Sequence, residues 1–331
     1  MDYANLYRNK KVIITGGLGF IGSNLARRLA GLGADITLVD SLIPSYGGNL
    51  YNIKDIESKV TVNIADVRDA FSMNYLIRGK DYLFNLAGTL SHIDSMEDPY
   101  TDLEINCRSQ LSILEACRNN NSDIKIVFAG TRGQYGKVDY LPVNEKHLMH
   151  PSDINGINNI AGEMYHMLYN DIYSIRAVSL RLTNTYGPRH QMRHPRQGFL
   201  NWFIRLAIDD QTIEIYGDGK QLRDFNYADD VVEAILLAGA NDKANGEVFN
   251  LGSGNPISVV DTAEKIIQLT GKGRYKFVLF PDDKKKIEVG DYYADYSKIK
   301  VLLGWEPKVN MKEGLMKTID FYIKNKKYYW A

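Results

Sequence analysis

Three glycines spaced three apart, Gly16, Gly19 and Gly22 in TGGLGFIG, follow directly on a β-branched run and open an amphipathic stretch. In that setting the first glycine permits a tight turn, the second lets backbone approach a pyrophosphate, and the third lets a helix pack on the strand with its N-terminus facing the anion. Gly16, Gly19, Phe20, Ile21 and Gly22 are therefore expected to hold a dinucleotide. Asp40 ends the next β-branched run, 24 residues beyond Gly16. A carboxylate there accepts hydrogen bonds from both adenosine ribose hydroxyls and repels a 2′-phosphate, so the expected cofactor is NAD and not NADP. Asp66 and Val67, after the third run, are expected near the adenine. Leu86, Ala87 and Gly88 of NLAG are expected near the nicotinamide ribose.

Other side chains offer charge without a pattern as specific. Arg189, Arg193 and Arg196 in GPRHQMRHPRQG supply local positive charge suited to a phosphate or an acidic sugar. His190 and His194 stand four apart, but Pro195 follows and no carboxylate partner is evident, so no metal site is expected. The two cysteines, Cys107 and Cys117, lie on one helical pattern, where ten residues span roughly 15 Å, too far for a disulfide. Reduced thiols in a cytoplasmic protein are the expectation.

The elements that must carry these residues are legible from periodicity. Short β-branched runs at Val12 to Thr15, Asp35 to Asp40, Val60 to Ile64, Tyr82 to Leu86, Lys125 to Ala129 and Ser174 to Leu180 alternate with helical patterns. Those helices are expected near Ser23 to Leu32, Ala70 to Arg78, Tyr100 to Asn119 and Gly156 to Tyr169. Alternation of this kind predicts an α/β protein with a Rossmann-like, doubly wound parallel sheet and ligands at the carboxyl ends of its strands. We expect residues 1–185 to form the NAD-binding domain and 186–331 a smaller α/β substrate portion, some of whose elements return to the first.

The 331 residues carry 40 Lys plus Arg and 40 Asp plus Glu, a net charge of zero. Such a chain lacks the broad positive field of a nucleic-acid binder, and no apolar run reaches the ~18 residues of a membrane span. Neither nucleic acid nor membrane is an expected partner.

Beyond the glycine turn and NLAG, the chain contains EINCRSQLSILEACR, FAGTRGQYG, RLTNTYGPR, GDGKQLRDFNYADD and LGWEPKVNMKEGL. Together these resemble the extended short-chain dehydrogenase/reductases, in particular the NAD-dependent nucleotide-sugar epimerases and dehydratases, over nearly the whole length. The resemblance implies a nucleoside diphosphate sugar as substrate. It places Thr131 at the Ser/Thr that bonds the sugar, Asn184 and Arg223 at the diphosphate, and Tyr216, Lys285 and Glu288 near the nucleotide. It also implies a homodimer in which Tyr100 to Asn119 and Gly156 to Tyr169 pair as a four-helix bundle.

The catalytic signature of that family, Tyr-x-x-x-Lys, is replaced here. The chain reads NGINNIAGE, with Asn155 at the tyrosine position and Asn159 at the lysine position. An amide cannot take a proton from a sugar hydroxyl at neutral pH. Asn155 and Asn159 are expected to face the sugar and nicotinamide as hydrogen-bonding groups, and the proton acceptor must lie elsewhere. His92, in the loop after NLAG, is the first choice, ahead of Tyr165 and Glu163. Thr131 is followed by Arg132 and Gly133 in place of the Asp-Glu pair of 4,6-dehydratases, which speaks against ordinary dehydration. The expected activity is an epimerase-like oxidation of the sugar, at C4. A catalytically silent nucleotide-sugar and NAD binder, or a dehydrogenase that retains NAD(H) and stops at a keto sugar, are the alternatives.

Overall fold

The computed structural model describes residues 3–330. After a short helix α1 (Ala4–Tyr7), the chain lays down strands β1 (Lys11–Thr15), β2 (Asp35–Asp40), β3 (Val60–Ile64), β4 (Tyr82–Asn85), β5 (Lys125–Thr131) and β6 (Ala177–Leu182). All pair in parallel, in a sheet where β1 sits between β2 and β4. Strand order reverses between β1 and β4, which is where a doubly wound sheet opens a crevice for ligands at the strand ends. The expected α/β class and Rossmann-like sheet are thus present.

Between the strands run α2 (Phe20–Gly31), α3 (Ala70–Leu76), α4 (His92–Glu97), α5 (Pro99–Leu103), α6 (Ser109–Asn120) and α7 (Ile154–Tyr173). Both faces of the sheet are covered, as a parallel sheet requires. Val12 and Ile14 of β1 point into the core shared with α2, while Ile13 points into the core shared with α3, α6 and Cys117. Ser174 caps α7 in the left-handed conformation (φ +58°), so β6 begins at Ala177 and not at Ser174.

The stretch Tyr100 to Asn119, read as one helix, is interrupted. Pro99 starts α5 at its first turn, and Glu104–Arg108 winds as a π-helical segment before α6. Asn106, within that segment, is buried, and its amide donates to the Thr89 carbonyl and the Asp102 carboxylate. Single π-turns within helices are frequent near functional sites.

The C-terminal portion adds β7 (Asn184–Tyr186), α8 (Phe199–Ile208), β8 (Thr212–Tyr216), β9 (Leu222–Arg223), β10 (Phe225–Tyr227), α9 (Ala228–Ala240), β11 (Val248–Asn250), β12 (Ile257–Ser258), α10 (Val259–Thr270), β13 (Arg274–Val278), α11 (Asp282–Lys286), α12 (Ser297–Leu303) and α13 (Met311–Asn325). Strand β11 joins the main sheet as its seventh strand, parallel to β6. Val231, Ile235 and Leu236 of α9 enter the same core as α2. A second core gathers Phe203 and Ile204 of α8, Ile213 and Ile215 of β8, Ile266 of α10 and Leu315 of α13. The large cleft lies between the carboxyl end of the main sheet and this second core.

Candidate active site

The glycine turn forms one end of a cleft of about 980 Å³. Gly16 has φ +67°, and a Cβ there would stand 2.9 Å from the Leu86 carbonyl; at Gly22 it would lie 2.2 Å from the Gly16 carbonyl. The turn therefore packs directly on the start of NLAG and leaves its outer side open. Gly16, Gly19, Phe20, Ile21, Gly22, Asp40, Asp66, Val67, Leu86, Ala87 and Gly88 all line the cleft. Asp40 is buried at the end of β2, where Oδ2 accepts from the Leu18 N–H (2.9 Å) and Oδ1 from the Leu42 N–H (2.8 Å). Burial pushes its pKa up against those backbone bonds, and each oxygen keeps acceptor capacity for a further donor. Asp66 is gripped by Arg68 through Nε and Nη2, at 3.0 and 2.6 Å, which holds its pKa below the usual range. The open glycine turn, the amino end of α2 and the Asp40 carboxylate fit a dinucleotide.

Thr131 ends β5 and caps the turn that follows, its Oγ1 accepting from the Gly133 N–H at 3.1 Å. Thr131, Arg132, Gly133, His92, Asp153 and Asn159 all line the middle of the cleft. His92 is the first residue of α4 and donates from Nδ1–H to Asp153 Oδ2 at 2.5 Å, a direction fixed because a carboxylate only accepts. Its other ring nitrogen makes no hydrogen bond among the described residues. A Cβ on Gly133 would sit 3.2 Å from His92 Cε1, so the imidazole lies against the turn that carries Thr131. Asp153 is buried and N-caps α7, taking the Gly156 N–H at 2.8 Å on its other oxygen. Burial raises its pKa, but the bond and charge of His92, the Gly156 N–H and Arg132 outweigh that and leave the carboxylate below its ordinary range.

The structure separates the residues expected to act together. Asn155 is buried outside the cleft lining, its amide donating to the Thr89 carbonyl (2.8 Å) and to Asp102 (3.0 Å). Asp102 also accepts from Thr89 Oγ1, Asn106 and Asn158, so four neutral donors surround one buried carboxylate. Asn159 does line the cleft and bonds back to the Asn155 carbonyl at 2.9 Å. Glu163 is buried in a two-pronged pair with Arg181 and accepts from Ser179 at 2.8 Å. Tyr165 lies beside Cys107, outside the cleft. Asp153 and Asp102 had no sequence motif to mark them, although an Asp three residues ahead of Gly156 is an N-cap signal.

At the far end, Arg223 is buried, bonds the Gly290 carbonyl at 2.5 Å and pairs with Glu288; both residues line the cleft with Asn184 and Tyr216. Tyr216 packs beside Phe280, ring centroids 5.5 Å apart. Arg196 reaches the rim, paired with Asp94 and Glu97 of α4. Arg189 turns away, donating to Asn24 at 2.8 Å with its guanidinium over Phe321, and neither it nor Arg193 lines this cleft. Lys285 is exposed on α11, also off the lining. His190 bonds the Gln191 carbonyl, and among the described residues no group of three His, Cys, Asp or Glu stands together as metal ligands.

Residues 13–318 match the family model described as GDP-mannose 4,6 dehydratase. The chain belongs to that family. It is 34% identical over 320 residues to a putative UDP-glucose 4-epimerase of Methanocaldococcus jannaschii, covering 95% of this chain and 99% of that one. Among solved structures, the epimerase Mth375 of Methanothermobacter thermautotrophicus superposes with a TM-score of 0.92 at 27% identity, covering 99% of this chain and 96% of the other. A UDP-glucose 4-epimerase of Thermotoga maritima, solved with UDP-glucose, gives 0.86 at 30% identity, with 96% and 99% covered. The resemblance to extended short-chain dehydrogenase/reductases is borne out, and the fold of this family member is that of its epimerase relatives.

Proposed function

We propose that this family member binds NAD and a nucleoside diphosphate sugar in the one cleft, oxidises the sugar at C4 in an epimerase-like reaction, and uses His92 where relatives use tyrosine. The observation that carries the reading is the His92–Asp153 pair on the same wall as Thr131, while Asn155 is committed to Asp102. NAD, when bound, supplies the hydride acceptor that oxidation of an alcohol needs. The glycine turn and Asp40 hold it; Asn184, Arg223 and Tyr216 hold the nucleoside diphosphate.

His92 is built as a general base. With Nδ1–H donated to Asp153, Nε2 carries the lone pair that accepts the sugar hydroxyl proton, and the ionised carboxylate stabilises the imidazolium that results. Thr131 Oγ orients that hydroxyl without ionising. Asp153 fixes both the tautomer and the ring while anchoring α7, so the base and the helix register are set by one side chain.

The test is turnover of UDP-, GDP-, CDP- and dTDP-sugars with NAD, followed at 340 nm and by product analysis. His92→Ala should cost about 10²- to 10⁴-fold in turnover while sugar-nucleotide binding survives. Full activity in that variant overturns the assignment of the base. Binding of NAD and sugar nucleotide by wild type with no turnover of any sugar overturns catalysis and leaves a binding protein. We also infer that two copies pair through α6 and α7.

A further inference from the structure

The cleft holds a cation that the protein itself does not satisfy. Arg132 follows Thr131 and lines the cleft, its guanidinium over the Tyr292 ring at 5.0 Å, and among the described residues that guanidinium makes no hydrogen bond or ion pair. The other cleft arginines differ. Arg223 is paired with Glu288, and Arg196 with Asp94 and Glu97. Burial, then the positive charge of Arg223, bring the Arg132 pKa down to about 10, so it stays charged at neutral pH in a place that disfavours charge. A half-buried guanidinium with no carboxylate in hydrogen-bond contact carries a desolvation cost that a ligand anion would relieve.

Position says which part of a ligand that is. Arg132 and Thr131 are consecutive, Gly133 lies against the His92 ring, and the charges Arg132 feels come from both sides: Arg223 and Glu288 first, then Asp153. The cation therefore stands between Arg223 with Glu288 and the wall that carries Thr131 and His92, beside the sugar that would bridge them. At the nucleotide end, Arg223 and Glu288 stand with Tyr216 and Phe280. A sugar carboxylate presents two coplanar oxygens, the match for a guanidinium fork that stands over the Tyr292 ring.

We propose that Arg132 recognises a carboxylate carried by the sugar, so that the substrate is a nucleoside diphosphate uronate or a similarly acidic sugar nucleotide. This rests on the reading of the cleft as a nucleotide-sugar site. It also gives a reason for an arginine where 4,6-dehydratases carry an acid, since a carboxylate side chain there would repel such a substrate.

Calorimetry on the full chain with NAD present tests it, comparing UDP-glucuronate with UDP-glucose and, free of any base preference, glucuronate 1-phosphate with glucose 1-phosphate. The acidic member of the pair that binds should bind at least ten-fold tighter. Arg132→Gln should remove that preference while leaving affinity for UDP within about two-fold, and Arg132→Lys, which keeps charge but not the fork, should retain part of it. Equal affinity for acidic and neutral members in wild type overturns the proposal without any variant. So does a loss of UDP affinity in Arg132→Gln as large as the loss for UDP-glucuronate, which would assign the cation to the diphosphate. Failure of wild type to bind any UDP-, GDP-, CDP- or dTDP-sugar, acidic or neutral, removes the nucleotide-sugar reading and this inference together.

Discussion

Two carboxylates on or at the start of α7 show how little residue type decides. Glu163 and Asp153 both sit near the signature NGINNIAGE, yet Glu163 is spent on Arg181 and Ser179 inside the protein, whereas Asp153 presents His92 to the cleft. Removing one partner of a buried pair strands the other charge, so Glu163→Ala should lower unfolding stability by about 3–5 kcal/mol in chemical denaturation. A change below 1 kcal/mol would mean the pair is solvated. The sequence offers Glu163 as a possible base because nothing in it reports burial, and it does not mark Asp153, whose partner is 61 residues away. Asp40 was legible, since strand, glycine turn and carboxylate fall in a fixed order. Its charge can be tested without dismantling the turn: Asp40→Asn keeps an acceptor for the Leu18 or Leu42 N–H. That variant should lose at least ten-fold in preference for NAD over NADP by calorimetry, and unchanged discrimination would assign the preference elsewhere.

Elements set what those residues see. Helical periodicity located α6 and α7 but gave no sign of the π-segment between α5 and α6 or of the polar cluster beside it, because Thr89, Asp102, Asn106, Asn155 and Asn158 meet only when three elements pack. Asn155→Leu, close in volume, withdraws one donor from buried Asp102 and should cost about 1–3 kcal/mol. A thermal melt that is unmoved would deny the cluster its structural part. Strand β5 offers a pH test. Its first residue, Lys125, is buried with Asn245 as its hydrogen-bond partner, and burial lowers its pKa from 10.5 to about 8. The folded state thus holds this proton less tightly than the unfolded chain. Below about pH 8 both states are charged and folding bears the full penalty; as pH rises from 8 to 10.5 the folded state releases the proton first and the penalty fades. Lys125→Met should therefore be more stable than wild type by about 3 kcal/mol at pH 7, a gap that narrows as pH approaches 10. A gap independent of pH would show that packing and not charge sets it.

At the scale of the molecule, the alternation of strands and helices made the class of fold readable, and a return of C-terminal elements to the first domain was expected, but that β11 is the returning strand was not legible, because a three-residue strand has no period of its own. The outer face of the molecule carries a further message. Ile157, Met164, Leu168 and Ile172 of α7 are each at least half exposed and fall within about one quarter of the helix circumference, at 100° per residue. Tyr100, Leu103 and Leu111 extend the exposed apolar surface across the neighbouring α5 and α6. A contiguous apolar stripe of this size on a protein in water marks an interface. Two adjacent helices presenting such a face to a second copy are self-complementary about a two-fold axis, where α6 and α7 of each copy make four helices around one seam. Wild type should accordingly sediment as a dimer. Met164→Glu with Leu168→Glu puts two carboxylates from each copy into that seam and should yield a monomer that still binds NAD, since neither residue lines the cleft. A wild type that remains monomeric at high micromolar concentration, or a double variant that stays dimeric, would move the interface off these helices.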